Sequence, residues 1–204
     1  MNNHDVSRLI TYHDNYLYSI DTDTINNKAL VDHCLRLEKY LVETLPTIHT
    51  GWYGNLTTAY NREYNLLTLP GTEFNELYHS LVKHVGPFLE KETRYMIKSW
   101  LNVFRINQKI EWHDHWPAIK RAWHGFYCAQ VGESYTYYKI PNCKGIIKVP
   151  SVDGRIVFGK SEGDQHSSSE WRNESMPRLT LAFDIIPVES IEDKMRINHF
   201  IPFI

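Results

Sequence analysis

Two imidazoles one residue apart, His113 and His115, lie in the segment Glu111-Trp112-His113-Asp114-His115-Trp116 and form the most metal-like pattern in the chain. In an extended backbone, side chains two apart project from one face, so His113 and His115 point together and Asp114 points away. Neutral imidazole suits iron, zinc, copper or nickel, and a pair needs at least one more ligand from elsewhere. The downstream candidate is His166, twelve residues before Arg178. With eleven histidines in the chain, an HxH pair also arises by chance, so surface or interface histidines are the competing reading.

Arg178 adds a second chemical element. It sits in Pro177-Arg178-Leu179-Thr180-Leu181-Ala182-Phe183-Asp184-Ile185, where a strand puts Arg178 and Thr180 on one face and Leu179 and Leu181 on the other. A guanidinium aimed into a barrel needs an anionic partner, because an unpaired buried charge costs several kcal/mol. Two partners are open: an internal salt bridge to Asp184 or a glutamate, or a bidentate grip on a small dicarboxylate with the Thr180 hydroxyl as a second donor.

The elements that must position these groups follow from periodicity. Residues 10–20 read as a first strand with Tyr16 and Tyr18 on one face. From Asn26, a capping residue, Leu30, Cys34, Leu37, Leu41 and Leu45 recur at helical spacing until Pro46. A turn-rich connector at 51–55 and a short strand at 64–69 follow. Thr72 caps a second amphipathic helix carrying Phe74, Leu77, Leu81, Val85 and Leu89, with Pro87 disturbing or dividing its end. After Arg94 the segments turn aromatic and β-branched between turn residues. Strands are expected near 95–105, 111–115, 125–130, 135–139, 145–149, 156–158 and 179–186, with turns at Asn107-Gln108, Asn142-Cys143, Asp153-Gly154 and Glu162-Gly163-Asp164. This is an α+β layout, mainly β, with N-terminal helices packed on one sheet. One domain over 1–204 is expected, made of a mixed support region (1–94), a β core (95–187) and a tail (188–204). The tail, with Phe200 and Phe203, either packs back or serves a homodimer contact.

Composition excludes several classes. At 204 residues, 42% apolar and 23% charged, the chain is an ordinary globular protein rather than disordered or fibrous. Its 22 basic and 24 acidic residues give a formal charge of −2 without a Lys/Arg cluster, which disfavours nucleic acid as the main partner. Cys34, Cys128 and Cys143 are widely spaced and form no CxxC pair, so neither a disulfide framework nor a cysteine zinc site is suggested. Without a basic and apolar leader or a run of ~18 apolar residues, a soluble, cytoplasmic protein is expected, host-cytoplasmic if phage-encoded, with no membrane partner.

Taken in order, Trp100-Leu101-Asn102-Val103, His113-Asp114-His115, His124-Gly125-Phe126-Tyr127, Gly154-Arg155-Ile156-Val157-Phe158, His166 and Arg178-Leu179-Thr180-Leu181-Ala182-Phe183-Asp184 resemble the 2-oxoglutarate- and Fe(II)-dependent oxygenases. The pattern looks most like a phage and bacterial branch with W-x-N, H-x-H, S-G-x-Y-Y, F-P-S, H and R-x-S-x-x-F-N. The resemblance covers roughly Trp100 to Ile186. It implies a double-stranded β-helix, the jelly-roll or cupin-like barrel, with iron held by His113, His115 and His166. It also implies 2-oxoglutarate held by Arg178 and Thr180, with Tyr127 and Asn102 as lesser cosubstrate contacts. The implied reaction is hydroxylation of a substrate by O2, coupled to decarboxylation of 2-oxoglutarate to succinate and CO2. A protein or peptide side chain, a small amino acid and a nucleobase are all open as substrates. The chain departs from the pattern where His115 replaces the usual carboxylate, Asp114 being able to ligate in its place only if the strand is twisted or bulged there, where His124 replaces a serine, in a longer segment from Trp116 to Trp123, and in Phe158-Gly159-Lys160-Ser161. Two other readings stand beside this one: a three-histidine cupin-type dioxygenase that does not use 2-oxoglutarate, and a non-catalytic jelly-roll binding or structural module. Trp112, Trp116 and Trp123 either line a substrate mouth or pack in the core and rim. The segment 132–138 either contacts an extended peptide or is an outer strand pair with cross-strand tyrosines.

Overall fold

The computed structural model of the chain describes residues 7–45, 57–191 and 199–204. Pro46 and the connector at 51–55 lie outside the described residues. The stretch read as one first strand is instead a hairpin, β1 (Arg8–His13) and β2 (Leu17–Asp21). Asn15 reverses the chain at φ 56°, a left-handed conformation that asparagine tolerates better than most residues. Helix α1 (Asn27–Thr44) begins where expected, the Asn26 side chain accepting from the Ala29 N–H, and buries Leu30, Cys34 and Leu41. Leu37 and Leu45 flank that face half-buried.

The short strand expected at 64–69 does not form. Asn65 accepts from the Leu67 and Ser99 N–H groups and donates to the Ile97 carbonyl, so it caps a single 3₁₀ turn (Leu66–Thr68) and ties it to a neighbouring strand. Helix α2 spans Thr72–Val85; Gly71, not Thr72, occupies the cap position, and Pro87 falls in a terminal 3₁₀ turn. Phe74, Leu77, Leu81 and Val85 form its buried face.

The β region comprises β3 (Tyr95–Phe104), β4 (Trp123–Gln130), β5 (Tyr135–Lys139), β6 (Ile147–Pro150), β7 (Arg155–Lys160), β8 (Gln165–Ser168), β9 (Arg178–Pro187) and β10 (Ile201–Pro202). The expected strand at 111–115 contracts to a single antiparallel bridge between His113 and His166, and Trp116 turns the chain away at φ 48°. Strand β8, which carries His166, had no sequence expectation. The larger antiparallel sheet runs β1-β2-β7-β4-β9-β3-β10 and the smaller runs β6-β5-β8. Together they form a double-stranded β-helix, with α1 and α2 packed on the larger sheet.

Alternation along the central strands separates structure from chemistry. Leu101 and Val103 of β3, Tyr127 and Ala129 of β4, and Leu179, Leu181, Phe183 and Ile185 of β9 join the helix residues in one core. Each such fully buried Leu or Phe contributes ~1.5–3 kcal/mol, which fixes the sheet against the helical layer. The intervening Asn102, Phe104, His124, Arg178, Thr180 and Asp184 line a cavity on the other face. Gly125 permits this close packing: a Cβ there would collide with the Val157 carbonyl and the Phe183 ring. Arg155 closes the sheet at β2 through paired bonds to Asp21 of 2.6 and 3.0 Å. The tail packs back: β10 pairs with β3, and Phe203 enters the helix-side core.

Candidate metal centre

The His113–His166 bridge joins the loop after β3 to β8 by reciprocal backbone bonds of 3.1 and 2.9 Å. It brings those two ring centroids to 4.2 Å, and His115 lies 5.1 Å from each of them. The Trp100 indole of β3 stacks on His115 at 5.8 Å with 13° between planes, which limits the tilt of that ring. One ring nitrogen from each of His113, His115 and His166 lies within 4.8 Å of the other two. The expected three imidazoles therefore do converge.

Their hydrogen bonds set which nitrogen is basic. His113 Nδ1 lies 2.8 Å from the Glu111 carbonyl oxygen, which can only accept, so Nδ1 carries the proton. His115 Nδ1 donates to Asp184 Oδ1 at 2.7 Å, and Trp116 Nε1 donates to Asp184 Oδ2 at 2.8 Å. His166 Nδ1 faces Asp164 Oδ2 at 3.7 Å and has no hydrogen-bond partner. In His113 and His115 an acceptor holds the Nδ1 proton and leaves Nε2 as the ligand nitrogen, the arrangement that prepares histidines for a metal; in His166 the Asp164 carboxylate faces Nδ1 from beyond hydrogen-bond distance.

The electrostatics agree. Burial, reinforced by the charge of His115, lowers His113 to about 4. Burial and the His113 charge push His166 well below its ordinary value. Burial also opposes charge on His115, but the Asp184 carboxylate outweighs it and raises that ring. Asp184 is itself held down, against its own burial, by His115 and the Trp116 N–H. Asp164 is lowered, also against burial, by His124 and His166.

A second donor set, His124, Asp164 and His166, overlaps the first. His124 Nε2 and Asp164 Oδ2 are 2.9 Å apart. All three residues are buried and Asp164 does not line the cavity, so an ion there would have no open position for a substrate. Asp164 is better described as a support for the two rings. It stands two residues before His166 on β8, on the same face, a spacing the sequence did contain.

The cavity, of about 750 Å³, is lined by His113, His115, His166 and His124 at one side and by Arg178, Thr180 and Asn102 at another. Arg178 is 2% exposed, and its Nε and Nη1 have no hydrogen-bond partners among the described residues. The internal salt bridge to Asp184 does not form: the two stand six residues apart along β9, Asp184 bonded to His115 and Trp116 and Arg178 set over the Phe104 ring, 5.0 Å away. Burial lowers the guanidinium to about 10, so it stays charged at neutral pH. Asn102 Nδ2 approaches the Thr180 hydroxyl at 3.5 Å, and the Thr58 hydroxyl donates to Asn102 Oδ1.

Tyr127, expected beside the cosubstrate, lies on the opposite face of β4: it packs in the helix-side core, and its hydroxyl donates to Asn27 of α1. The alternation of β4 gives the cavity face to His124 and Phe126 instead. The tyrosine near the cluster is Tyr138 of β5, stacked on His166 at 5.4 Å, its buried hydroxyl without a partner. Of the three tryptophans, Trp116 lines the cavity, Trp123 packs in the helix-side core, and Trp112 lies under the Lys139 ammonium. Strand β5 is the centre of the smaller sheet, and Tyr135 and Tyr137 line an outer groove.

No family model matches this sequence, and no curated protein matches it. Solved structures do. AviO1 from Streptomyces viridochromogenes Tue57 superposes with a TM-score of 0.62 at 14% identity, over 87% of this chain and 92% of that one. A prolyl hydroxylase from Trichoplax adhaerens, in complex with a hypoxia-inducible-factor peptide fragment, gives 0.59 at 13% identity over 88% and 89%. SnoN, a non-heme alpha-ketoglutarate-dependent epimerase from nogalamycin biosynthesis, gives 0.55 at 11% identity over 83% and 77%. Among the described residues no helix is long and apolar enough to cross a membrane. At these identities the likeness establishes a fold, the double-stranded β-helix, which this chain shares with them.

Proposed function

We propose that this chain is an Fe(II)- and 2-oxoglutarate-dependent oxygenase, a hydroxylase. The observation that carries the reading is a single cavity bearing three converging histidines, two of them with an acceptor at Nδ1, and an arginine with two buried nitrogens unpartnered among the described residues. The donor set fits iron, since imidazole is a ligand for it and three side chains leave coordination positions open. The orphaned guanidinium fits a carboxylate. Bound there, iron and 2-oxoglutarate would supply O2-driven hydroxylation coupled to release of succinate and CO2.

The protein's own groups do the positioning. His113, His115 and His166 would hold the metal, with the Glu111 carbonyl and Asp184 keeping the Nδ1 protons of His113 and His115 in place. Arg178 grips the distal carboxylate of the cosubstrate and Thr180 adds a hydroxyl, itself steadied by Asn102. Trp116 and Phe200, whose rings meet edge to face at 6.3 Å, wall the cavity and limit water. The peptide held by the prolyl hydroxylase neighbour favours a protein or peptide side chain as the substrate class.

Anaerobic titration with Fe(II) and then 2-oxoglutarate tests this. A weak visible metal-to-ligand charge-transfer band is expected in the wild type and not in His166→Ala or Arg178→Met. No band in the wild type, or a band surviving both substitutions, overturns the proposal. The three-histidine donor set also suits a dioxygenase that ignores 2-oxoglutarate, and Fe(II) binding without any response to the cosubstrate would favour that reading.

A further inference from the structure

Three neutral imidazoles leave a divalent metal with its full charge in a largely buried site, where uncompensated charge is costly. The nearest fixed carboxylate to the donor rings is Asp184, 6% exposed and bonded to His115 at 2.7 Å. It sits within β9, paired on one side with Lys98 of β3 and on the other with His124 of β4, so its backbone cannot drift. Both of its oxygens are engaged, one by His115 and one by Trp116. In this arrangement it faces His115 and Trp116 and is not among the converging donor atoms.

His115, by contrast, is in a loop whose backbone is anchored by the bridge at His113, and its ring is stacked on Trp100 at 5.8 Å and on His124 at 5.1 Å and bonded to Asp184. The two stacks fix the plane; Asp184 fixes rotation within it and the tautomer. We propose that Asp184 is the displaced carboxylate of this centre: a positioning residue that supplies the missing negative charge through His115. This rests on the metal-centre reading above. A carboxylate so placed raises the basicity of the ring and holds Nε2 towards the metal, and loss of such a partner typically weakens metal affinity about 10–100-fold.

The rival explanation is mechanical. Asp184 also ties the loop to β9 through Trp116, so it could be a strap with no influence on the metal. Two substitutions separate these roles. Asp184→Asn keeps an oxygen that accepts from His115 but removes the charge; Trp116→Phe removes the other tie and leaves the His115–Asp184 bond intact.

The experiment is competition of Co(II) and Fe(II) against a chromophoric chelator, under anaerobic conditions, for wild type, Asp184→Asn and Trp116→Phe, with the cobalt absorption spectrum recorded for each. Asp184→Asn is expected to weaken binding about 10–100-fold and to alter the cobalt spectrum, with Trp116→Phe within about threefold of wild type. Equal affinity for Asp184→Asn and wild type, or equal losses in both variants, overturns the proposal while leaving the metal-centre reading standing. A wild type that binds neither ion overturns both. Should Asp184→Asn fail to fold, the zinc-loaded wild type still decides: long-range ¹H–¹⁵N correlations must show His115 as the Nδ1–H tautomer, and an Nε2–H tautomer overturns the assignment.

Discussion

Arg178→Met should make the cosubstrate-free protein more stable and blind to 2-oxoglutarate. In wild type the guanidinium is buried with two nitrogens unsatisfied and, among the described residues, no carboxylate bonded to it. Its lowering from 12.5 to about 10 corresponds, at ~1.4 kcal/mol per tenfold, to about 3 kcal/mol of disfavoured charge. Because the folded-state value lies below the unfolded one, that cost is present throughout the range below about pH 10 and fades only above it. Methionine fills similar space without the charge and forfeits the Phe104 cation–π contact, worth ~1 kcal/mol. The net gain is about 1–3 kcal/mol, or a rise in melting temperature of about 2–12 °C for a chain of this size.

Thermal melts of metal-loaded wild type and Arg178→Met, each with and without 2-oxoglutarate, check both halves. At a hundredfold excess over its Kd, a cosubstrate that pairs with Arg178 stabilises wild type by about 2.7 kcal/mol; the variant should show no shift. A variant that melts below wild type without cosubstrate would mean the guanidinium already has a partner, and a variant still stabilised by 2-oxoglutarate would place the acid elsewhere. Either result refutes the reasoning.

His113→Ala should reduce Fe(II) affinity by at least about 100-fold, more than loss of a supporting carboxylate, as measured by chelator competition. Tyr138→Phe removes an unpartnered buried hydroxyl and should change unfolding free energy by less than ~1 kcal/mol, whereas Tyr138→Ala, which deletes the ring stacked on His166, should cost about 3–5 kcal/mol in urea melts. In the metal-free protein, His113 and His166 resist protonation when folded but not when unfolded, so the unfolded state takes up more protons as pH falls from about 6.5 towards 4. Stability should drop across that window, and His113→Gln should recover roughly 2–3 kcal/mol of the loss near its lower end, read from denaturant midpoints.

The sequence made the convergence of His113, His115 and His166 legible through an HxH pair and a third histidine placed before a strand-borne arginine. It placed Arg178 and Thr180 on one face because alternation in β9 is unbroken. It was less informative where the backbone departs from regular geometry. The segment at 111–115 alternates like a strand, yet one bridge to β8 is all that forms, because Trp116 adopts a left-handed turn that no periodicity reveals. The hairpin at Asn15 was hidden by tyrosines that keep a strand-like pattern across the turn. Tyr127 was assigned to the cavity although His124 and Phe126 flank it, and on a strand those neighbours must face the other way. Asp184 was legible only as a salt-bridge partner for Arg178, since nothing in its own strand shows that a loop 69 residues earlier brings His115 to it.

Distance along the strand explains why Arg178 and Asp184 do not pair. They occupy the same face of β9, Asp184 bonded to His115 and Trp116 at 2.7 and 2.8 Å and Arg178 six residues away, against Phe104. At ~3.4 Å per residue that separation is ~20 Å, beyond the reach of the two side chains together. The strand thus keeps a cation and an anion of one face apart: the anion is bonded to His115 and Trp116, and the cation faces the cavity, where the proposed cosubstrate acid would meet it.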